Sequence, residues 1–343
     1  PGAVHLLNGL YDAKLDHAPV IAITGQAPSQ FVGTSYHQEV DLESLFSDVA
    51  EYSQTVMTPK QLPAVMLQAC KAALSAPGVA HVCVPTDVAG QKVSSDRDDF
   101  SIGSRTGETT PCPPSLQRAV DLLMQGEQVA ILAGIGASGA RDEIIQLAEQ
   151  LDAPIIRTLR AKDFIDDDDE TCVGGLGLLG GPPASDAMDK CDTLLIVGAD
   201  YPYVPFYPKK AKVIQIESSE VRMGKRVGVD APLHGHAKPT LLALLAELKG
   251  HSKKGLLSSL RDAKTSWRKK RQKQEQSDDT PIRPQRLIAD IAAEAPDDAI
   301  FLCDTGTSTA WTARHLPVGP KQRYTLSSGL GSMAFALPGA IGA

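Results

Sequence analysis

Val129-Ala-Ile-Leu-Ala-Gly134-Ile-Gly136-Ala-Ser-Gly139-Ala-Arg141 reads as a buried strand that passes through a glycine turn into a helix starting near Arg141. Five consecutive apolar residues without alternation suit a strand covered on both faces, as in parallel sheets. The glycines permit a tight turn, and the helix start offers backbone N–H groups to an anion. A nicotinamide fingerprint also needs an acidic residue about 20 positions on. Here the next strand, at 153–158, ends beside Arg157 and Arg160 instead. Two readings stay open on these residues: arginines flanking a pyrophosphate, or a glycine turn that serves packing alone.

The same strand-then-helix rhythm extends both ways from this turn. Upstream, residues 19–24 and 79–84 read as buried strands, the second stopped by Pro85. Residues 4–14 and 59–75 carry helical apolar spacing, and Asp41 suits the cap of a helix bearing Leu42, Leu45, Phe46 and Val49. Downstream, strands are expected at 154–157, 192–197 and 212–216, followed by a helix over 238–248. Apolar strands separated by amphipathic helices imply an α/β fold with parallel sheets flanked by helices.

The pattern divides the chain at 1–90, 114–248 and 284–343, with a linker at 91–113 and a basic linker helix at 249–283. Within that helix Leu256, Leu257, Leu260 and Trp267 can hold one face against the protein. Lacking interleaved aromatics, its lysines and arginines read as a solvated face, not as a nucleic-acid or membrane patch. The last part opens on a helix at Pro284, then a strand at 299–303 and a helix at 307–316.

At 343 residues, with 42 % hydrophobic and 22 % charged residues, the composition is that of an ordinary globular protein of two or three domains. A net charge of -7 argues against nucleic acid as a partner. No uninterrupted apolar run is long enough for a transmembrane helix. The six cysteines, at 70, 83, 112, 172, 191 and 303, form no Cys-x-x-Cys pair. They read as buried, reduced thiols of an intracellular, cytoplasmic protein.

Four further stretches carry local signals. Asp166-Asp-Asp-Asp-Glu170 has no His or Cys beside it and reads as a solvated loop, not a metal site. Gly174-Gly-Leu-Gly-Leu-Leu-Gly-Gly181 suits either a backbone passing close to a planar or phosphorylated ligand or close helix–loop packing. Tyr36-His37-Gln38-Glu39 is a polar site or a surface loop. His234 and His236 share one side of a strand-like segment, but without a third ligand zinc is not expected. The tail from Ser328 to Ala343 reads as a buried helix awaiting more protein, and Pro1-Gly2 leads straight into a helix; an internal portion of a longer protein is the expectation.

Several of these stretches occur together, in order, in one family. They are His5-Leu-Leu-Asn-Gly-Leu-Tyr-Asp-Ala13, Pro19-Val-Ile-Ala-Ile23, Gly33 to Glu39, Gly134 to Arg141, Gly177-Leu-Leu-Gly180 and Asp192-Thr-Leu-Leu-Ile-Val-Gly198. Phe206-Tyr-Pro208, Cys303-Asp-Thr-Gly306, Trp311 and Gly331-Ser-Met333 complete the set. On these residues the chain resembles thiamine-diphosphate-dependent enzymes of the pyruvate oxidase and acetolactate synthase group, and flavin-containing pyruvate oxidases most of all.

The resemblance implies three α/β domains: the back of an aminopyrimidine-binding domain, a complete central domain, and the front of a diphosphate-binding domain. It places Gly134, Gly136 and Arg141 at the FAD diphosphate, Arg160 and Glu217 further along the flavin nucleotide, and Gly177 in a cofactor-side turn. His236 stands where relatives often carry an Asp near the adenine. Gly306, Gly331 and Met333 fall on the thiamine side, the Gly331 carbonyl receiving the 4′-amino hydrogen and Met333 lying beneath the bent cofactor. His37 occupies a substrate-facing position that is Phe in several relatives, and Gln38 is a polar residue of the same loop. The implied activity is decarboxylation of pyruvate or a related 2-oxo acid with electrons passed to FAD, in a homodimer or homotetramer. An acetolactate-synthase-like carboligase and an inactive flavin-binding or assembly module are the alternatives. Neither the activating glutamate nor the Mg²⁺-diphosphate motif lies in this sequence, so no metal ligand is assigned, and the chain alone is expected to bind thiamine diphosphate weakly or not at all and to lack oxidase turnover.

Overall fold

The computed structural model describes residues 1–75, 77–92, 107–167, 169–252 and 254–343. Most of the expected linker at 91–113 therefore lies outside the described residues. The chain falls into two units: Pro1–Thr106 with Ser327–Met333, and Gly107–Leu326 with Ala334–Ala343.

The first unit runs α1 (Gly2–Leu15), β1 (Val20–Gln26), α2 (Leu42–Phe46), β2 (Ala50–Thr55), α3 (Leu62–Ser75), β3 (Val79–Pro85) and α4 (Thr86–Ala89). Its strands form a parallel sheet in the order β1-β3-β2. Side chains of a strand alternate between faces, so β3 feeds two cores. Val79 and Cys83 join Leu10, Leu42 and Phe46, while Ala80 and Val82 join Val65, Ala69 and Ala73 of α3. Asp41 caps α2 as expected, its carboxylate accepting the Ser44 N–H at 3.1 Å. The helix is shorter than its apolar spacing predicts; Val49 is buried beyond its end.

Between those β3 residues lies His81, fully buried and stacked on Phe46 with ring centroids 4.0 Å apart. Its Nε2 is 2.8 Å from the Thr24 hydroxyl and its Nδ1 2.8 Å from the Ser53 hydroxyl. A neutral imidazole satisfies both, one nitrogen donating and the other accepting. Burial lowers the affinity of His81 for a second proton, with Glu43 opposing only in part. A histidine whose folded pKa is depressed gives stability that is full above its unfolded value of about 6.5 and is lost as pH falls through the folded pKa. The resistance of the first unit to urea is expected to fall as pH drops below about 6.5. The slope should flatten in His81→Gln, which keeps hydrogen-bonding capacity without a titrating ring; an unchanged slope would assign it to other groups.

The second unit opens with α5 (Pro113–Gln125), β4 (Val129–Ala133), α6 (Arg141–Leu151), β5 (Ile155–Arg157), β6 (Cys172–Gly175), α7 (Pro182–Lys190), β7 (Thr193–Val197), β8 (Lys212–Glu217), β9 (Ala231–His234) and α8 (Ala237–Glu247). The six strands are parallel in the order β6-β5-β4-β7-β8-β9. This is the doubly wound order, with its switch point between β4 and β7. Every residue of those two strands is buried, which explains their unbroken apolar runs. On one face Leu123, Ile144, Leu147, Leu241 and Leu244 cover Ile131, Leu195 and Ile214. On the other, Met188 of α7 and Leu256, Leu257 and Leu260 of α9 (Leu256–Glu275) cover Leu132, Leu194 and Ile196.

The same unit continues with α10 (Pro284–Glu294), β10 (Ile300–Cys303), α11 (Thr307–His315), β11 (Arg323–Leu326) and α12 (Ala336–Gly342). Strands β10 and β11 pair in parallel over a small core of Cys303, Leu316, Val318, Tyr324 and Leu326.

The tail departs from its reading as one buried helix. Only α12 is helical, none of its residues is buried, and Met333, Leu337 and Ile341 are 80, 73 and 81 % exposed. Gly331 and Ala334, with φ of 76° and 58°, break the helical path ahead of it. Within the first unit, α1 holds the segment before that break through side chains spaced four apart, which share a helix face. Ser327 donates to Asp12 at 2.8 Å and Ser328 to Asp16 at 3.3 Å, and the Ser332 hydroxyl lies 3.0 Å from Asn8 Oδ1.

Candidate cofactor sites

Strand β4 delivers the chain into a 3-10 turn, Ile135–Ala140, and α6 begins at Arg141 as the spacing predicts. Two of the three glycines are required by close packing. A Cβ on Gly134 would lie 2.3 Å from the Gly198 carbonyl oxygen, and one on Gly136 2.9 Å from the Gly198 Cα. The Gly134 N–H donates to Val197 and the Gly136 N–H to Gly198, so the loop is stitched to the end of β7. Gly139 has nothing within 4 Å of its would-be Cβ. Packing thus accounts for Gly134 and Gly136, and Gly139 faces open space at the carboxyl edge of the sheet, where doubly wound folds bind ligands.

The charges beside this loop are arranged differently from the expectation. Arg157 is buried and forms an ion pair with Asp167, which also accepts Lys162 Nζ at 2.9 Å. It is committed inside the protein and does not flank a pyrophosphate. Arg141 is 38 % exposed, with Asp166 at 3.1 Å and Asp142 at 3.6 Å. The run from Asp166 is therefore no solvated loop: Asp166 and Asp167 neutralise cations, and Asp169 accepts the Thr171 N–H and hydroxyl. Glu170 keeps a solvated position at 87 % side-chain exposure, with Lys264 Nζ 3.9 Å away, and Asp168 lies outside the described residues. Composition alone shows five like charges; their cationic partners, Arg141, Arg157 and Lys162, lie earlier in the chain and meet the run only because the chain folds back on them. Arg160 sits half-buried in the short turn Leu159–Ala161.

At the end of β8, Glu217 is buried, its Oε1 accepting the Ser219 N–H at 3.0 Å and lying 3.4 Å from Arg222 Nε. That nitrogen is buried without a hydrogen bond. His234 and His236 do not share a strand face, because β9 ends at His234. His236 is the N-cap of α8; its Nδ1 accepts the Thr109 N–H and its own N–H donates to the Thr109 carbonyl, both at 2.9 Å.

Close packing also explains the glycine-rich stretch after β6. A Cβ would meet the Tyr201 hydroxyl at 2.1 Å from Gly177, the Gly175 carbonyl at 1.9 Å from Gly180 and Trp267 at 2.6 Å from Gly181. Leu178, at the tip, is 79 % exposed. Behind it Tyr201 contacts Tyr203 and Phe206 edge-on, with centroids 5.4 and 6.3 Å apart. Burial pushes the Tyr201 hydroxyl up to about 12, so it stays protonated. Tyr201 and Tyr203 belong to no motif; the signal they carry in the sequence is the aromatic density of Tyr201-Pro-Tyr-Val-Pro-Phe-Tyr207 after an apolar strand. In the same unit Gly306 precedes α11 with φ 153° and open space around its would-be Cβ.

In the first unit His37 and Gln38 are exposed in a loop organised by its neighbours. Ser29 donates N–H and hydroxyl to Asp87 at 2.8 and 2.7 Å, and Gln26 donates to the Val40 carbonyl at 2.7 Å. Phe31 and Tyr36 stack at 4.8 Å. Glu39 accepts the Gly33 and Tyr36 N–H groups, which hold its carboxyl below its ordinary range. Gln38 and Ser35 take positive φ of 63° and 59° in this turn. Gly331 and Met333 belong to this unit too, whereas Gly134, Gly136, Arg141, Arg160, Gly177, Glu217, His236 and Gly306 belong to the other.

Three family models match the chain in order: the N-terminal TPP binding domain of thiamine pyrophosphate enzymes over residues 1–45, their central domain over 116–244 and their C-terminal TPP binding domain over 304–343. The chain belongs to the thiamine pyrophosphate enzyme family. It is 36 % identical over 343 residues to the Bacillus subtilis (strain 168) protein named "Putative thiamine pyrophosphate-containing protein YdaP", covering 100 % of this chain and 60 % of that one. It is 30 % identical over 350 residues to the pyruvate oxidase of Lactiplantibacillus plantarum, covering 100 % and 58 %. It is likewise 30 % identical over 352 residues to the acetolactate synthase isozyme 2 large subunit of Escherichia coli K12, covering 100 % and 62 %. The chain thus spans about three fifths of the length of the thiamine pyrophosphate relatives it matches. Among the described residues, no helix is long and apolar enough to cross a membrane.

Proposed function

We propose that the full-length protein decarboxylates pyruvate or a related 2-oxo acid with thiamine diphosphate and Mg²⁺ and passes the electrons to FAD, and that the second unit described here holds the flavin. The observation that carries this reading is the doubly wound sheet, with an open Gly139 where β4 turns into α6 and a buried carboxylate, Glu217, at the end of β8. A dinucleotide-shaped cofactor needs both: N–H groups and a cation for its diphosphate, and a carboxylate for its ribose hydroxyls.

The residues present fit these groups. Gly139 leaves room for a phosphate to approach the start of α6, and Arg141 provides the charge, partly masked by Asp166. Glu217 can accept hydrogen bonds from hydroxyl groups, and Arg222 Nε keeps an unused donor beside it. Leu178 and Tyr203, both more than half exposed, offer an apolar rest for a planar ring. On the thiamine side, Gly306 leaves the space in which a diphosphate would meet the first turn of α11. When bound, thiamine diphosphate supplies the nucleophilic carbon that attacks the 2-oxo group, and FAD the two-electron acceptor.

Arg141→Gln is expected to weaken FAD binding about tenfold or more, since a hydrogen bond to a charged group contributes roughly 1.5–3 kcal/mol. Asp166→Asn, which unmasks the guanidinium, should tighten it. Fluorescence titration reads both, and identical affinities in the two variants would count against Arg141 as a diphosphate ligand. The carboligase reading uses the same cofactors and is separated by product analysis on the full-length protein with pyruvate. Acetate or acetyl phosphate with reduced flavin supports the oxidase; acetolactate with flavin still oxidised overturns it.

A further inference from the structure

Helix α11 starts at the Gly306 turn and ends in a group of cations that the cofactor assignments leave unused. Its last residues are held from several directions. Lys162 Nζ donates to the Ala313 carbonyl at 3.3 Å and Arg271 to the Arg314 carbonyl at 2.8 Å, cations placed at the negative end of a helix. His315 Nδ1 lies 2.8 Å from Glu275. The Arg314 guanidinium reaches across to the glycine turn after β6, donating to the Leu178 carbonyl at 2.6 Å and to the Gly180 carbonyl at 3.2 Å.

That turn has little freedom elsewhere. A side chain would collide with Tyr201 at Gly177, with the Gly175 carbonyl at Gly180 and with Trp267 at Gly181, so the turn is closely enclosed there and Leu178 is its open side. A ligand that pushes on Leu178 therefore works against Arg314. Arg314 in turn is fixed to a nine-residue helix, about 13 Å long, whose other end is Gly306. Close-packed elements of this kind shift as units and do not deform locally.

We propose that Arg314 is a positioning residue that fixes the Gly177–Leu179 turn to α11, so that flavin bound against Leu178 and thiamine diphosphate bound at Gly306 strengthen each other's binding. The coupling rests on the cofactor reading above; the positioning of the turn does not. Linkage requires the effect to be reciprocal, so either cofactor reports on the other.

The test uses the full-length protein with FAD, thiamine diphosphate and Mg²⁺. The FAD Kd is measured with and without saturating thiamine diphosphate, and hydrogen exchange is followed at the amides of residues 176–181. In the unmodified protein, thiamine diphosphate should tighten FAD about fivefold or more, within the usual range of site–site coupling. In Arg314→Ala the factor should fall to about one, each cofactor still binding alone, and exchange at 176–181 should accelerate while β4 stays protected. Arg314→Lys, which keeps the charge and one donor, should fall between the two and carries the test if the alanine variant does not fold. Coupling that survives in both variants, or its absence from the unmodified protein when both cofactors bind, overturns the coupling. Unchanged exchange at 176–181 overturns the positioning role. Failure of FAD to bind at all refutes the cofactor reading, and the exchange result still decides the role of Arg314.

Discussion

Replacing Asp167 with asparagine is expected to destabilise the second unit by about 3–5 kcal/mol, the typical result of removing one partner from a buried ion pair. The carboxylate lies between Arg157 and Lys162, whose side chains are 3 and 1 % exposed. Burial alone would raise its pKa, but the two cations outweigh that and hold it well below the usual carboxylate range. Asparagine keeps the shape and removes the charge, leaving two like charges without their counterion. Asp166→Asn is the control: its pair with Arg141 is partly exposed, and such pairs contribute at most about 1 kcal/mol. Urea denaturation of both variants checks this, and similar losses would mean that burial does not govern the cluster.

The cluster also sets a pH dependence on the alkaline side. Burial, helped by the neighbouring Arg157 and opposed by Asp167, pushes the Lys162 ammonium down to about 8. Between about pH 8 and the unfolded value near 10.4, the unfolded chain holds a proton at this position that the folded chain has released. The contribution of Lys162 to stability therefore rises with pH across that window. Lys162→Met should remove the rise.

Gly134→Ala is expected to reach or exceed the roughly 3 kcal/mol upper range of overpacking substitutions. The backbone of Gly134, with φ of -117°, suits any residue, so space decides. The new methyl would sit 2.3 Å from the Gly198 oxygen and 2.4 Å from the Ala199 Cα, main-chain atoms that cannot rotate away. Gly139→Ala meets nothing within 4 Å and should leave stability unchanged or raise it by about 0.4–1 kcal/mol. It separates the two roles of the loop. If Gly139 admits a phosphate, its alanine variant folds normally and binds FAD more weakly; unaltered affinity would leave the loop a packing device alone.

Strands β4 and β7 were legible to within a residue or so because they are buried on both faces and carry apolar runs, and β8 because Val213, Ile214 and Ile216 mark it although Gln215 interrupts the run. Strand β2 was not: Ala-Glu-Tyr-Ser-Gln-Thr has no alternation, and its pairing rests on β3 and on the Ser53–His81 hydrogen bond. Strand β6 carries no strand pattern, since two of its four residues are glycines. The helix start at Arg141 was legible from the glycine spacing, whereas the pairing of Arg141 and Arg157 with Asp166 and Asp167 depends on a chain reversal that no local pattern encodes. For the tail, apolar content suggested a buried helix; positive φ at Gly331 and Ala334 and the serine contacts with α1 decided otherwise.

Flavin binding at the second unit tests the proposed function most directly. Purified protein, titrated with FAD and passed over a desalting column, should retain about one flavin per chain, the single site that a doubly wound sheet offers at its switch point. Retention should be weakened by Arg141→Gln and by Glu217→Gln, with the fold intact by circular dichroism. Folded protein that elutes free of flavin, or retention indifferent to both substitutions, would contradict it.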